Sequence, residues 1–173
     1  MGKKSATVLL PRFGPAIEFP LTVPAGYRHA NALDGFRASV AKKETVFCFD
    51  DRMSDECFPN ASHELMPGRT YRVMIYPIIR ASSTEECMEF LRAQDVLFVG
   101  PRGLTLLYQL ESRRITRGRH VVSFDEEDML FSDERMHTKV PVLSNDNQVF
   151  LFDLVHQGAV WTPVHSLLCF TAA

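Results

Sequence analysis

The clearest candidate for ligand chemistry is the turn Gly100-Pro101-Arg102-Gly103. It follows an apolar stretch, residues 96–99, and precedes a leucine-rich stretch, so it is predicted to join a strand to the N-terminus of a helix. Free backbone N–H groups and the helix dipole at such a position can hold a phosphate or a carboxylate, and Arg102 would add positive charge. Pro101 removes one donor, however, and the turn matches neither the dinucleotide fingerprint nor the phosphate loop. A structural turn is therefore favoured, and Gly100, Arg102 and Gly103 are the ligand-binding residues of an alternative hypothesis.

An arginine-rich segment is the second candidate. It contains four arginines within seven residues, namely Arg113, Arg114, Arg117 and Arg119. They are predicted to lie at the C-terminal end of the leucine-rich helix, where cations offset the helix dipole by about 0.3–1 kcal/mol each. Because no aromatic residue is interleaved among them, a protein partner is favoured over nucleic acid, with an acidic partner as one alternative. Internal pairing with the acidic run at residues 125–128 is the structural interpretation.

Residue types that commonly carry catalysis or bind metals form no recognisable motif. The six histidines are scattered, no Cys-x-x-Cys pair occurs, and the acidic loop at residues 50–60 lacks the central glycine of an EF-hand. Cys57 lies in this polar loop, six positions before His63, and is the one thiol predicted to be exposed. A catalytic, redox or metal role for Cys57 has no further support from the sequence. We therefore predict no catalytic residue, no metal site and no cofactor.

Composition limits the class of protein. The chain has 173 residues and is 46% hydrophobic, which is enough to bury a core in one domain or in two small ones. A net charge of −2 argues against a dedicated nucleic-acid binder. The sequence contains no run of about 18 apolar residues, the length that a helix needs to span a membrane. Because no export signal is recognised, we expect a cytoplasmic location and buried free thiols at Cys48, Cys87 and Cys169.

Residues 1–79 show the order strand, strand, helix, strand, loop, strand. The predicted strands are residues 6–10, 17–23, 45–49 and 71–79. Asn31 is the predicted N-cap of the helix, whose apolar face carries Leu33, Phe36 and Val40, and Pro20 predicts that its strand lies at a sheet edge. This element order, and the segment Leu65-Met66-Pro67-Gly68-Arg69-Thr70-Tyr71 that leads into the last strand, resemble the β-grasp (ubiquitin-like) fold. The resemblance concerns the fold only and implies a sheet that partners could contact.

Residues 80–173 are predicted to form an α+β lobe. Ser82 or Ser83, followed three residues later by Glu85 or Glu86, predicts a helix that begins with a capping box. Residues 96–99, the leucine-rich helix and residues 120–124 have the order of a βαβ unit. Residues 144–147 have a turn composition between strands at 140–143 and 149–154, and a last strand is predicted at 167–170. In a competing interpretation, strand 71–79 is the first strand of a parallel β-α-β-α-β unit. Both interpretations are compatible with one continuous sheet that the two halves share.

The predicted fold class is therefore α+β, with a β-grasp-like lobe at residues 1–79 packed on a second α/β lobe, residues 80–173, that has two helices and a mixed sheet. The favoured function is a small, soluble, non-enzymatic protein–protein interaction module. Its predicted partner-binding residues are Arg113, Arg114, Arg117 and Arg119. The alternative is a protein or enzyme that binds a phosphate or carboxylate at residues 100–103. Neither nucleic acid nor a membrane is expected as a partner, and self-association is left open.

Overall fold

The computed structural model of the protein describes residues 11–41, 46–146 and 149–173, so the predicted strand at residues 6–10 lies outside the described residues. The helices are α1 (Ala32–Val40), α2 (Thr84–Arg92) and α3 (Gly100–Glu111). The strands are β1 (Ile17–Thr22), β2 (Val46–Phe49), β3 (Thr70–Pro77), β4 (Arg119–Ser123), β5 (Lys139–Asp146), β6 (Val149–His156) and β7 (His165–Ala172). The predicted α+β class is thus confirmed.

All seven described strands belong to one mixed sheet, in the order β1-β3-β7-β4-β5-β6-β2. Neighbouring strands pair antiparallel except β4 with β7 and β2 with β6, which pair parallel. The three strands of the first half are separated in this order, because β1 and β3 lie at one edge and β2 lies at the other. Strands from both halves of the chain therefore share one sheet. A β-grasp-like arrangement of residues 1–79 is not confirmed, and a division into two lobes stays a prediction.

The prediction of a strand at residues 96–99 is wrong. Leu97 forms only an isolated bridge, in which its backbone N–H donates to the carbonyl of Phe170 at 2.7 Å. The next backbone N–H, of Phe98, donates to the imidazole of His63 at 3.2 Å. The segment is apolar because it is largely buried in the core and not because it forms a ladder. Strand β7 lies antiparallel to β3 and parallel to β4, so the predicted parallel β-α-β-α-β unit is not formed either.

Pro20 lies on an edge strand, as the sequence predicts. Val23 N–H donates to the Arg69 carbonyl at 3.0 Å, and in the register of β1 with β3 Pro20 lies opposite Arg72. Because hydrogen-bonded pairs alternate along an antiparallel ladder, this register directs the backbone nitrogen of Pro20 away from β3. The proline therefore removes no hydrogen bond from the sheet, and it leaves this edge with one donor fewer for a foreign strand.

Helices cover both faces of the sheet. On one face, the Phe152 ring of β6 packs against Phe36 of α1, with ring centroids 5.1 Å apart, and against Tyr108 of α3, at 5.5 Å. On the other face, Phe90 of α2 packs edge-on against Tyr76 of β3 at 4.9 Å. Helix α2 begins with the predicted capping box, in which Ser83 and Glu86 bond reciprocally.

Helix α3 packs closely against its surroundings at Gly103. A Cβ atom added there would lie 2.6 Å from Val99 Cγ2 and 3.1 Å from Phe170 Cε2. Gly35, inside α1, is the opposite case, because nothing lies within 4 Å of its added Cβ. Gly103 is therefore required by close packing, whereas Gly35 has room for a side chain and only lowers the stability of the helix.

We expect Gly103→Ala to lower the free energy of unfolding by about 1–3 kcal/mol, since the methyl group overpacks a rigid contact. Its matched control, Gly35→Ala, is expected to raise the free energy of unfolding by about 0.4–1 kcal/mol, because alanine restricts the unfolded chain and fits the helix. Urea unfolding monitored by circular dichroism measures both changes. Equal stability of the two variants would contradict the close approach of α3.

Candidate functional site

Arg102, a predicted ligand-binding residue, is fully buried. Its guanidinium donates four hydrogen bonds to protein acceptors: Nε to the carbonyl of His29 at 2.9 Å, Nη1 to that of Asn60 at 3.5 Å, and Nη2 to that of Phe58 at 2.8 Å and to Asp55 Oδ1 at 2.9 Å. A buried guanidinium with these partners is an internal cross-link between α3 and two loops. Its charge is therefore already engaged within the protein.

Asp55 connects this cross-link to helix α1. Its second carboxylate oxygen accepts hydrogen bonds from the backbone N–H groups of Leu33 at 3.1 Å and Asp34 at 3.0 Å. These are free donors in the first turn of α1, so Asp55 caps the helix from a distant loop and its negative charge offsets the helix dipole. Asn31 occupies the predicted N-cap position, but its side chain makes no capping hydrogen bond. The capping role predicted for Asn31 belongs to Asp55.

A buried carboxylate lies beside the first residue of α3. Gly100 has a φ of +52°, and a Cβ added to it would lie 3.2 Å from Asp125 Oδ2. Asp125 accepts hydrogen bonds from the backbone N–H of Ser62 at 3.2 Å, from the Ser62 hydroxyl, and from the backbone N–H of Glu126 at 2.8 Å. Burial raises the pKa of this carboxyl group above its usual value. The protein therefore places its own acid beside the turn.

These contacts bear on the alternative hypothesis for residues 100–103. Gly100 lies against Asp125, Gly103 lies against Val99 and Phe170, and Arg102 points into an internal network. An added anion beside Gly100 would meet the negative charge of Asp125, which disfavours its binding. The geometry therefore favours the structural interpretation of this turn.

The arginine-rich segment lies beyond α3, which ends at Glu111, and not in its last turn as predicted. Glu111 Oε2 accepts from Arg113 Nε and from Arg114 Nε, each at 3.2 Å. The guanidinium of Arg114 also lies over the Phe19 ring, 4.3 Å from its centroid. Arg119 donates to the carbonyl of Pro163. The helix ends at Glu111 and the chain then turns to bury Ile115. Gly118, with a φ of +69°, lies in the turn before β4.

Two of these arginines line a depression at one end of the sheet, which we call the arginine pocket. Its volume is about 170 Å³, and its lining consists of Ile17, Ile75, Pro77, Arg114, Thr116, Arg119, Val121 and Ser166. Strands β1, β3, β4 and β7 contribute the floor. The rim consists of Arg114 and Thr116, from the segment between α3 and β4, and of Arg119, the first residue of β4. None of the described residues that line it is acidic. Sequence analysis identified the two arginines but missed the apolar residues, because no local pattern joins Ile17 to Val121.

The cysteines and His63 show no arrangement for catalysis. Cys48 on edge strand β2 is exposed and Cys57 is half-buried, so the predicted exposures of these two thiols are reversed, whereas Cys87 and Cys169 are buried as predicted. His63 Nδ1 accepts the Phe98 N–H, which prevents this nitrogen from serving as a base. In the described part of the chain, no cluster of three or more His, Cys, Asp or Glu side chains is placed to hold a metal ion.

Comparisons with protein-family models, with curated proteins and with solved structures found no significant match. Among the described helices, none is long and apolar enough to cross a membrane.

Removal of the buried guanidinium should be strongly destabilising. We expect Arg102→Ala to lower the free energy of unfolding by about 3–5 kcal/mol, because Asp55, whose side chain is only 11% exposed, would lose its charged partner and three backbone carbonyls would lose their donor. The control is Arg37→Ala, which breaks the surface ion pair with Asp51 and should cost about 0–1 kcal/mol. Urea unfolding gives both values. A loss below about 1 kcal/mol for Arg102→Ala would contradict the cross-link.

Stability should also fall in mild acid. Burial, reinforced by Arg102 near His29 and by His120 near His165, lowers the pKa of both His29 and His165 below the ordinary value of 6.5. Below about pH 6.5 the unfolded chain therefore binds protons that the folded chain does not bind until lower pH. We expect the melting temperature to decrease as pH falls from above 6.5 through the lowered folded-state pKa values. His165→Gln should make this dependence shallower, because it removes one of the two imidazoles whose pKa is lowered.

Proposed function

We propose that this protein is a non-enzymatic protein–protein interaction module that binds a partner through the arginine surface, made of Arg113, Arg114, Arg117 and Arg119. The observation that carries the proposal is that guanidinium groups on this surface are held in place without being buried. The side chain of Arg113 is 79% exposed although it bonds to Glu111. Arginine is enriched among the residues that dominate binding energy at interfaces, and an ordered side chain loses less entropy on binding.

The charge balance of the surface supports an acidic partner. The single carboxylate of Glu111 lies between two guanidiniums, those of Arg113 and Arg114, so one positive charge remains uncompensated by this contact. Arg119 contacts the neutral carbonyl of Pro163, which leaves its charge intact. Complementary charge increases the association rate and the selectivity for an acidic partner.

The internal use of the buried charges favours binding over catalysis. Arg102, Asp55 and Asp125 are the kind of side chains that could act on a substrate, but each bonds to protein groups that the fold requires. All four cysteines are free, which fits action in a reducing compartment such as the cytoplasm.

The double variant Arg113→Glu with Arg114→Glu tests the arginine surface. We expect capture of the partner by the immobilised protein to fall about tenfold or more, since two favourable charge contacts become repulsive. Proteins captured from a lysate at low salt would be identified by mass spectrometry, and binding would then be measured with the purified partner. Raising the salt concentration should weaken the wild-type complex.

The matched control is Arg135→Glu, which reverses an exposed arginine outside the surface. It should retain capture at the wild-type level. If the double variant and the control capture the same proteins equally well, the arginine surface does not bind the partner.

A further inference from the structure

The arginine pocket combines two features that select for one kind of occupant. Its floor is apolar and partly open, since Ile17 keeps 47% of its surface exposed. Its rim carries Arg114 and Arg119. An apolar depression with a cationic rim attracts a group that is apolar at its centre and anionic around it.

The size of the pocket limits the apolar part of the occupant. An engineered apolar cavity of roughly 150 Å³ in another protein accommodates benzene. The arginine pocket, at about 170 Å³, is therefore large enough for one leucine-sized side chain but not for a helix or a bulky ligand. A single inserted side chain is also how many interfaces anchor a partner.

The arginines are positioned by the fold before any partner binds. Stacking on Phe19 and bonding to Glu111 fix the guanidinium of Arg114 from two sides, and Pro163 accepts from Arg119. Each planar guanidinium has five N–H donors, so these contacts leave donors for a carboxylate. Arg–carboxylate contacts add directional selectivity that an unspecific positive patch would lack.

From these observations we infer that the arginine pocket binds an acidic peptide segment of a partner protein, which inserts one aliphatic side chain between Arg114 and Arg119 while its flanking carboxylates bond to the two guanidiniums. This inference deepens the proposed function and rests on it. It identifies the partner by its chemistry: Asp or Glu residues on both sides of a Leu-sized residue, in an extended conformation.

Titration of the ¹⁵N-labelled 173-residue chain with three synthetic peptides tests the inference by two-dimensional NMR. The first peptide is Gly-Glu-Asp-Leu-Asp-Glu-Gly, the second replaces its Leu with Ala, and the third replaces its four acids with Ser. We expect the first peptide to shift the amide signals of Ile17, Val121 and Arg119. The Ala peptide should bind about tenfold or more weakly, because less apolar surface is buried, and the Ser peptide should bind weakest.

Substitutions of two isoleucines of similar exposure distinguish binding in the pocket from binding elsewhere on the surface. Ile17→Ser removes one wall and should abolish the preference for Leu over Ala. Ile79→Ser changes an isoleucine of comparable exposure, 43% against 47%, that does not line the pocket, and it should keep the preference. Backbone signals of each variant confirm that the protein is folded.

Each contrary outcome has a defined meaning. Equal affinity for the Leu and Ala peptides, or signal shifts elsewhere on the protein, would overturn the inference about the arginine pocket. The capture experiment with the arginine variants tests the arginine surface independently. An absence of shifts at millimolar concentrations of the acidic peptides would also overturn the pocket. Loss of capture by the Arg113→Glu, Arg114→Glu variant would then show that the surface binds acidic partners in another way.

Discussion

The ion pair between buried Arg102 and largely buried Asp55 is the contact on which the arrangement of α1 and α3 depends. Burying two charges costs several kcal/mol per ion unless every donor is satisfied, and here the guanidinium bonds to backbone carbonyls as well as to the carboxylate. Asp55 simultaneously caps α1, a helix of nine residues that contains Gly35 and is too short to be stable by itself. One interaction therefore fixes α1 on α3 and holds the loop between them.

Helix α3 connects the Arg102–Asp55 ion pair to the arginine surface. With its first turn held by Arg102, the helix ends at Glu111 and the chain turns to bury Ile115. Asn145 of β5 then holds the following turn from two sides, since its side chain donates to the Ile115 carbonyl at 2.6 Å and its own carbonyl accepts from Gly118 at 2.7 Å. Arg117 lies within this hydrogen-bonded turn, and Arg114 and Arg119 lie immediately before and after it. Rigid attachment of this kind is what makes charged side chains selective.

Features with local causes could be predicted from the sequence, whereas features that depend on distant contacts could not. The capping box at Ser83 and the edge position of Pro20 were predicted because each depends on neighbouring residues or on the chemistry of one residue. Residues 96–99 were misassigned, because an apolar run signals burial without specifying a ladder partner. The internal partners of Arg102 could not be predicted either, because Asp55 lies 47 positions earlier and no spacing rule connects them.

The arginine pocket is formed by the order of the strands in the sheet and could not be predicted from the sequence. Ile17 lies opposite Ile75 in the register of β1 with β3, whereas Val121 joins them through Ser166 of β7, the last strand, which lies between β3 and β4. The twelve-residue helix α3 spans about 18 Å, and beyond its end Arg114 and Thr116 of the connecting segment line this part of the sheet. Arginine suits such an end, because its aliphatic stem covers apolar surface while its charged group stays in water. Arg114 stacks on Phe19 in this way, so the residue that shields the sheet is also the one that we propose as a carboxylate-binding residue.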